Sequence, residues 1–444
     1  MRAVSSDKRN GAKASCKSRK NTTTDAPAGV AYTAADIARL TNGGALPARA
    51  SASQGGIKHL VSMKKSNALY RAEHDRLATK VFLSLLLLAV LAFLSLGVMG
   101  AAGQSYPYSD AYQVYSPVQV AQALYEHAYN GLAVLTHAWS AHSNEWIRAN
   151  VPGYWAVTER AGVIGITLLC AILLSVSGML YQNVFKNPIA GPTMLGVSSG
   201  VSLGMMLMVA LYSGAAPSMV GTRYALCYAL GAVVLVFVML AGRRLSGRGK
   251  PFDVVTMLLI GSILSQLLGF IVSYVTLYVM DEADYATYYT MSQMLVVDTS
   301  VVSWVALGIA VAVSLIPVVV NRYKLNALAF DDQEARMMGL SLTKMRAIAL
   351  ICGGIMILAA QIHVGMVSLV SLIVPFLSRS WFGCEFNKQL IGNVCIGTVL
   401  LLACRDICDL IPFVGDGLAI GSVVSVVAMP LFVVVMARQM REWE

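Results

Sequence analysis

Few residues in this 444-residue chain have the types and spacings that do chemistry. Cys404 and Cys408 share a helix face at i and i+4, but two soft ligands without a third make a poor metal site. His127, His137 and His142 are ten and five residues apart and do not fall on one helical face, so solvated loop histidines are expected rather than haem or metal ligands. His363 is expected to be hydrogen-bonded, not a ligand. The stretch GRGKPF (247–252) has a lysine, but it lacks the glycine spacing and the following Ser or Thr that hold phosphate and magnesium. The chain is therefore not expected to hydrolyse ATP or to be an enzyme. Arg405, Asp406 and Asp409 stand together in apolar surroundings, where ionisable groups are costly. They read as a charge-paired structural or docking feature, or as the relay of an ion-coupled carrier.

The elements that hold these residues are set by composition. Apolar residues make up 57% of the chain and charged ones 13%, with a mean hydropathy of +0.65, which points to a polytopic, all-α membrane protein. Apolar runs of about 20 residues, the length that crosses a bilayer, place spans near 81–101, 161–183, 193–213, 224–242, 254–280, 300–320, 345–363, 366–380, 389–411 and 418–437. That makes about ten transmembrane helices, the eighth of them short.

The formal charge of +10 sits wholly in residues 1–80, which hold 15 Lys/Arg against 5 Asp/Glu, while the remainder balances at 18 against 18. A nucleic-acid partner is not implied. Residues 1–79 lack a sustained apolar period and are expected to be a disordered, basic cytoplasmic tail. Its Lys/Arg either adsorb to membrane lipid or act only in orientation. With that tail inside and ten crossings, basic residues such as Lys186, Arg243, Arg244, Arg322, Lys324, Lys344, Arg346, Arg379 and Lys388 fall in cytoplasmic loops. Arg148, Arg160 and Arg223 fall outside, and both termini are cytoplasmic. Six of the 8 cysteines lie in spans and none firmly on the oxidising side, so packing is their expected role. In the outer loop 104–159, SPVQVAQALYEHAYNGLAVLTHAW has helical apolar spacing and predicts a short amphipathic helix.

Two further stretches carry function. In FKNPIAGPTMLGVSSGVSLG (185–204), Asn187-Pro188 and Gly191-Pro192 end one span and begin the next, because proline disfavours helix in the residue before it and fits a first turn. Gly196, Gly200 and Gly204 then form a small-residue face that either packs helices closely or lets them shift during transport. In LNALAFDDQEARMMGLSLTKMR (325–346), Asp331 and Asp332 start a helix whose apolar face is Ala335, Met338 and Leu342, with Gly339 where it turns. This segment reads equally as an interfacial helix or as one that plugs into a groove on a motor subunit.

KNPIAGPTMLGVSSG (186–200) resembles the RNPLAxPxxLGVSSG signature of FecCD-type permeases, the membrane subunits of ABC importers for ferric siderophores, haem and cobalamin. Ala335, Arg336 and Gly339 match that family's coupling segment, and GMVSLVSLIVPFLSR (365–379) is similar to its GPIGFVGLIVPHIAR. The resemblance spans about 160–440. It implies a type II ABC importer permease fold over 80–440, in a bacterial inner membrane, with coupling helices at 325–343. The implied partners are a second permease subunit (the same chain or another), ATPase subunits that use ATP and Mg, and an extracytoplasmic binding lipoprotein or periplasmic protein. No cofactor is bound by this chain itself. The implied cargo is a ferric siderophore, with haem or cobalamin as alternatives; an ion-coupled secondary transporter is the rival from another class. The implied coupling residues are Asp332, Glu334, Ala335, Arg336, Met338 and Gly339. Those of pathway and helix packing are Asn187, Pro188, Gly196, Ser198, Ser199, Gly200, Gly204, Gly261, Ser265, Ser368, Ser371 and Pro375. Receptor docking falls to Arg160, which matches the first arginine of the family's RLPR stretch. The chain departs from the family where Met366-Val367-Ser368 replaces Pro-Ile-Gly, where Ser371 replaces Gly, and where Val163 and Leu410 stand at arginine positions.

Overall fold

The computed structural model describes residues 54–97, 115–136, 146–147, 150–151, 153–188, 190–212, 219–245, 254–293, 297–329, 341–410 and 419–441. The chain divides into two units, Met1–Lys80 and Val81–Glu444. Of the first unit, residues 54–80 are described and they are helical. This corrects the expectation of disorder up to Thr79. SNALYRAEHDRLATK (66–80) is rich in the helix formers Ala, Leu, Arg, Glu and Lys, and a helix already nucleated by a span gains a hydrogen bond for each residue added.

Among the described residues every regular element is helical. They are α1 (Gln54–Gly97), α2 (Pro117–Thr136), α3 (Tyr154–Phe185), a 3-10 turn (Pro192–Leu195), α4 (Val197–Tyr212), α5 (Val220–Leu245) and α6 (Val254–Tyr278). There follow α7 (Glu282–Gln293), α8 (Val301–Val320), short turns at Arg322–Leu325 and Asn326–Ala329, α9 (Leu342–Val364), α10 (Ser368–Phe382), α11 (Phe386–Leu410) and α12 (Ile420–Arg441). Seven described helices are long and apolar enough to cross a membrane, and α4, α10 and the Ile420–Val434 part of α12 are shorter apolar helices. Each expected span has its helix. The third starts later than expected because the backbone breaks at Gly196.

The second unit is organised around α3 and α9, whose apolar windows are 78% buried within the protein. They pack along each other; α10 and α11 flank α3, and α8 lies on α9. On another side α4 and α5 form a close pair, with α6 laid on α4. The α6 window is only 17% buried, and α12 rests on α10 and α11.

The amphipathic helix expected in the 104–159 segment is α2. Pro117 occupies its first turn, and Ser116 and Gln119 cap it reciprocally: Ser116 N donates to Gln119 Oε1 at 2.9 Å and Gln119 N to Ser116 Oγ at 3.3 Å. Its Val120 and Ala123 are buried in a cluster with Leu96, Tyr154 and Val157. His127 is exposed on this helix, while His137 and His142 lie outside the described residues.

Candidate functional site

The break between α3 and α4 is built by the proline and glycine residues of the 185–204 stretch. Lys186 ends α3 in the left-handed region at φ 50°, and its N–H donates to the Gln182 carbonyl. Asn187 and Pro188 are exposed. The 3-10 turn that follows is closed by Gly196 at φ 76°, a backbone conformation that glycine adopts without a Cβ penalty. The turn is seated on α6: a Cβ at Gly261 would stand 2.5 Å from the Met194 carbonyl oxygen and 2.7 Å from Leu195 Cα. Gly196 in turn faces Gly261 O and Ser265 Oγ, so three of the expected pathway residues meet at one crossing. Gly200 and Gly204 turn instead to α5, where an added Cβ would lie 2.9 Å from Gly231 Cα and 2.8 Å from Cys227 Cα. The stripe thus serves two different neighbours.

Polar side chains tie this broken segment to α9 and to the residues just after it. Ser198 Oγ accepts from Gln361 Nε2 at 2.7 Å, and Ser202 Oγ donates to Met366 Sδ at 3.6 Å. Ser199 is half-buried beside them.

On the other side of α3, Pro375 and Ser371 act together. Pro375 lacks an N–H, so the Ser371 carbonyl has no helical donor four residues on. That oxygen lies against Gly178 of α3, where a Cβ would collide with it, so only glycine lets the two helices approach at this point. Next to it Gln182 Nε2 donates to the Leu372 carbonyl at 2.9 Å and Gln182 Oε1 accepts from Arg379. Ser368 is exposed at the start of α10, and its carbonyl accepts from Ser371 Oγ at 2.6 Å.

Arg160 lies in the second turn of α3, at the end of the second span, and is buried there. It is 7% exposed, its guanidinium is ion-paired with Asp409, and it lies 3.5 Å from Asp406; it also donates to Ser95 O and Oγ at 3.3 and 3.1 Å. Arg405 Nε donates to the same Asp409 at 3.3 Å. The cluster read from one helix is therefore a quartet that joins α1, α3 and α11. Arg223, expected in an outer loop, is likewise buried on α5 and bonds Asp298 Oδ2 at 3.1 Å. The Tyr224 hydroxyl lies 3.3 Å from that oxygen and 2.9 Å from Ser303 Oγ, and the Tyr224 ring stacks on His363 at 4.8 Å. His363 is hydrogen-bonded as expected, with Nδ1 2.7 Å from Ala359 O and Nε2 3.2 Å from Ser303 O. Neither the Arg160–Asp409 nor the Arg223–Asp298 pair was visible in the sequence, since 249 and 75 residues separate the partners. The local signal that could have found them is that each arginine stands within the first two turns of an apolar helix, not before it.

A second feature without a sequence signal is the face of α6. Ser262, Gln266 and Ser273 are exposed there with half-exposed Gly269; at 3.6 residues per turn they fall within about 60° of arc. Ile263, Leu267 and Ile271 are exposed on the adjoining arc. Gln266 is near the midpoint of the Thr256–Tyr278 window, where an amide facing hydrocarbon without a partner is costly.

The expected coupling residues Asp332, Glu334, Ala335, Arg336, Met338 and Gly339 lie outside the described residues. Before them, Asn326 Oδ1 accepts from Phe386 N at 3.1 Å, and after them α9 begins at Leu342. Among the described residues no group of three or more His, Cys, Asp or Glu is placed to hold a metal ion.

Comparison with known proteins agrees with this architecture. A probable iron chelatin transport permease of Helicobacter pylori is 25% identical over 268 residues, 60% of this chain and 77% of that protein. The Fe(3+) dicitrate permease FecC of Escherichia coli is 28% identical over 306 residues, 66% of this chain and 88% of its own length. The vitamin B12 import permease BtuC of Salmonella typhi is 28% identical over 276 residues, 62% and 81% of the two chains. A solved metal-chelate type ABC transporter in an inward-facing conformation superposes with a TM-score of 0.59 at 20% identity, covering 81% of this chain and 99% of that one, which shows a shared fold. The model of the FecCD transport family matches residues 136–438, more than half of the chain, and the protein belongs to that family.

Proposed function

We infer that this chain is the membrane-spanning permease subunit of a binding-protein-dependent importer that brings an iron chelate into the cytoplasm. The observation that carries the reading is the polar flank of α6. An exposed amide at mid-span is stable against water or another protein surface, not against lipid, so Gln266, Ser262 and Ser273 line a wet pathway against a second permease subunit. Ser422 and Ser425 of α12 are also exposed, and we assign them to the same lining. Chelate cargo is supported by the iron chelatin and ferric dicitrate relatives; the B12 relatives make cobalamin the second reading. Energy comes from separate ATPase subunits that dock on the 330–340 segment. Cargo is delivered by an extracytoplasmic binding protein at the opposite end. The basic residues Lys186, Arg243, Arg244, Arg322, Lys324, Arg379 and Lys388 lie at or near helix ends that the sequence assigns to one side, which supports orienting that side to the cytoplasm.

Proteoliposomes containing this chain, its ATPase and its binding protein should take up ferric chelate only with ATP, and vanadate should stop them. Uptake driven by an ion gradient without ATP would instead make the chain a secondary carrier, and selective uptake of cobalamin would reassign the cargo. Arg336→Glu combined with Gly339→Leu should leave insertion intact and uncouple transport. Normal uptake in that variant would remove the segment from the ATPase contact.

A further inference from the structure

The described charges where α6 ends, at residues 281–284, are acidic. Neither α6 nor the Ile420–Val434 part of α12 contains a charged residue, so cargo moving along this flank meets hydroxyls, an amide and apolar groups only. Where α6 ends, Asp281 and Glu282 are exposed and Asp284 follows in the first turn of α7. Capping accounts for Asp281, whose Oδ1 accepts from Asp284 N at 2.7 Å; Glu282 has no such local duty. No Lys or Arg occurs between Met280 and Ser300. The described arginines at the same end of the bundle are buried in ion pairs: Arg160 and Arg405 with Asp409, Arg223 with Asp298. The mouth is thus acidic and leads onto an uncharged track.

Iron(III) held by three hydroxamates, each with one negative charge, is neutral, whereas iron(III) held by three doubly ionised catecholates carries three negative charges. An acidic mouth with low-dielectric walls focuses a negative potential and lowers the local concentration of anions. An uncharged track gives a desolvated anion no countercharge. Neutral hydroxyl and amide groups suit the carbonyl and N–O oxygens of a hydroxamate chelate.

We propose that this pathway passes neutral or cationic chelates of the tris-hydroxamate class and disfavours anionic ones, because its exposed lining is uncharged and its outer mouth is acidic. The proposal rests on the reading of α6 as pathway lining. It is tested in the reconstituted complex with Gln266→Cys in a Cys384→Ser background, and in parallel with the nearly isosteric Ser273→Cys in case the first variant does not assemble. The thiol is labelled from outside by a trimethylammonium methanethiosulfonate and by a sulfonate methanethiosulfonate, each rate divided by that reagent's rate with free cysteine. The cationic reagent should react at least about 10-fold faster, within the range that charged clefts impose on encounter rates. Neutralising the mouth with Asp281→Asn, Glu282→Gln and Asp284→Asn together should narrow the ratio to less than about 3-fold. Equal labelling by both reagents, or a ratio unmoved by neutralisation, overturns the charge selectivity while leaving the pathway standing. Labelling by neither reagent at either position puts this flank in lipid, where thiols do not ionise, and removes the pathway reading itself. Uptake of a gallium tris-catecholate at the rate of a neutral gallium tris-hydroxamate would also overturn the proposal.

Discussion

Helices α3 and α6 are both strongly apolar and long enough to span a membrane, yet 78% of one apolar stretch and 17% of the other is buried within the protein. Several polar residues of α3 reach other helices, and those named on α6 do not. On α3, Ser177 donates to the Gly353 carbonyl at 2.7 Å, Tyr181 to the Leu350 carbonyl at 3.0 Å and Gln182 to Leu372, so each of these three joins two helices, while Thr167 and Ser175 bond carbonyls of α3 itself. On α6, Ser262 and Ser265 bond carbonyls of their own helix and Gln266 is exposed. Polar groups inside the bundle therefore hold helices together, and those on its open side remain available to water, to cargo or to another subunit. Hydropathy registers both in the same way.

This contrast gives graded expectations. The largest effect belongs to the buried quartet. Asp409→Ala leaves Arg160 and Arg405 buried beside a lost carboxylate and should destabilise the chain by about 3–5 kcal/mol, read as a fall in thermal unfolding temperature in detergent. Combining it with Arg160→Met should recover part of that loss, because an apolar replacement of the whole pair avoids an uncompensated charge. If Asp409→Ala unfolds at the wild-type temperature, the quartet does not hold α3 to α11.

Overpacking at the α4–α5 contact comes next. Gly200→Leu inserts a side chain where a Cβ alone would be 2.9 Å from Gly231 Cα, and should cost about 1–3 kcal/mol. Transport should fall further than expression, since α4 carries the break beside α6. Unchanged uptake would show that these helices separate without consequence. A similar loss of about 1–3 kcal/mol is expected for Gln182→Ala, which removes the hydrogen bonds from Gln182 to Arg379 and to the Leu372 carbonyl; equal thermal stability of mutant and wild type would argue against the tie between α3 and α10.

The smallest effect on stability is expected at Gln266→Leu, within about 0.5 kcal/mol, as for a substitution away from internal packing. ATP-dependent uptake should nevertheless slow. A variant that is destabilised as much as Gly200→Leu would mean that Gln266 belongs to a packed contact, and the contrast between the two helices would fail.

Much of the fold was legible because membrane helices announce themselves locally. The ten apolar runs, the α2 amphipathic pattern with Ser116-Pro117 ahead of it, and the interruption at Pro192 and Gly196 depend on neighbours within a few residues. The glycine stripe was also readable as a surface of close approach, although not its division between α5 and α6, because a spacing of four says that residues share a face without naming what lies opposite. The burial and pairing of Arg160 and Arg223 were missed for a related reason. Counting charges near span ends assigns an arginine to a loop, and it cannot register an aspartate far along the chain that makes burial tolerable.

From the sequence alone came the all-helical membrane class, the position of the chain break, the basic segment ahead of the first span and the family motif, all of which rest on local composition and short spacings. Only the tertiary structure decided which helices form the buried axis, that Arg160 is held internally by Asp409, that the Ser371 carbonyl freed by Pro375 meets Gly178, and that Gln266 is left exposed. Those facts depend on which surfaces meet across the bundle, and burial is a property of the packed pair, not of either helix.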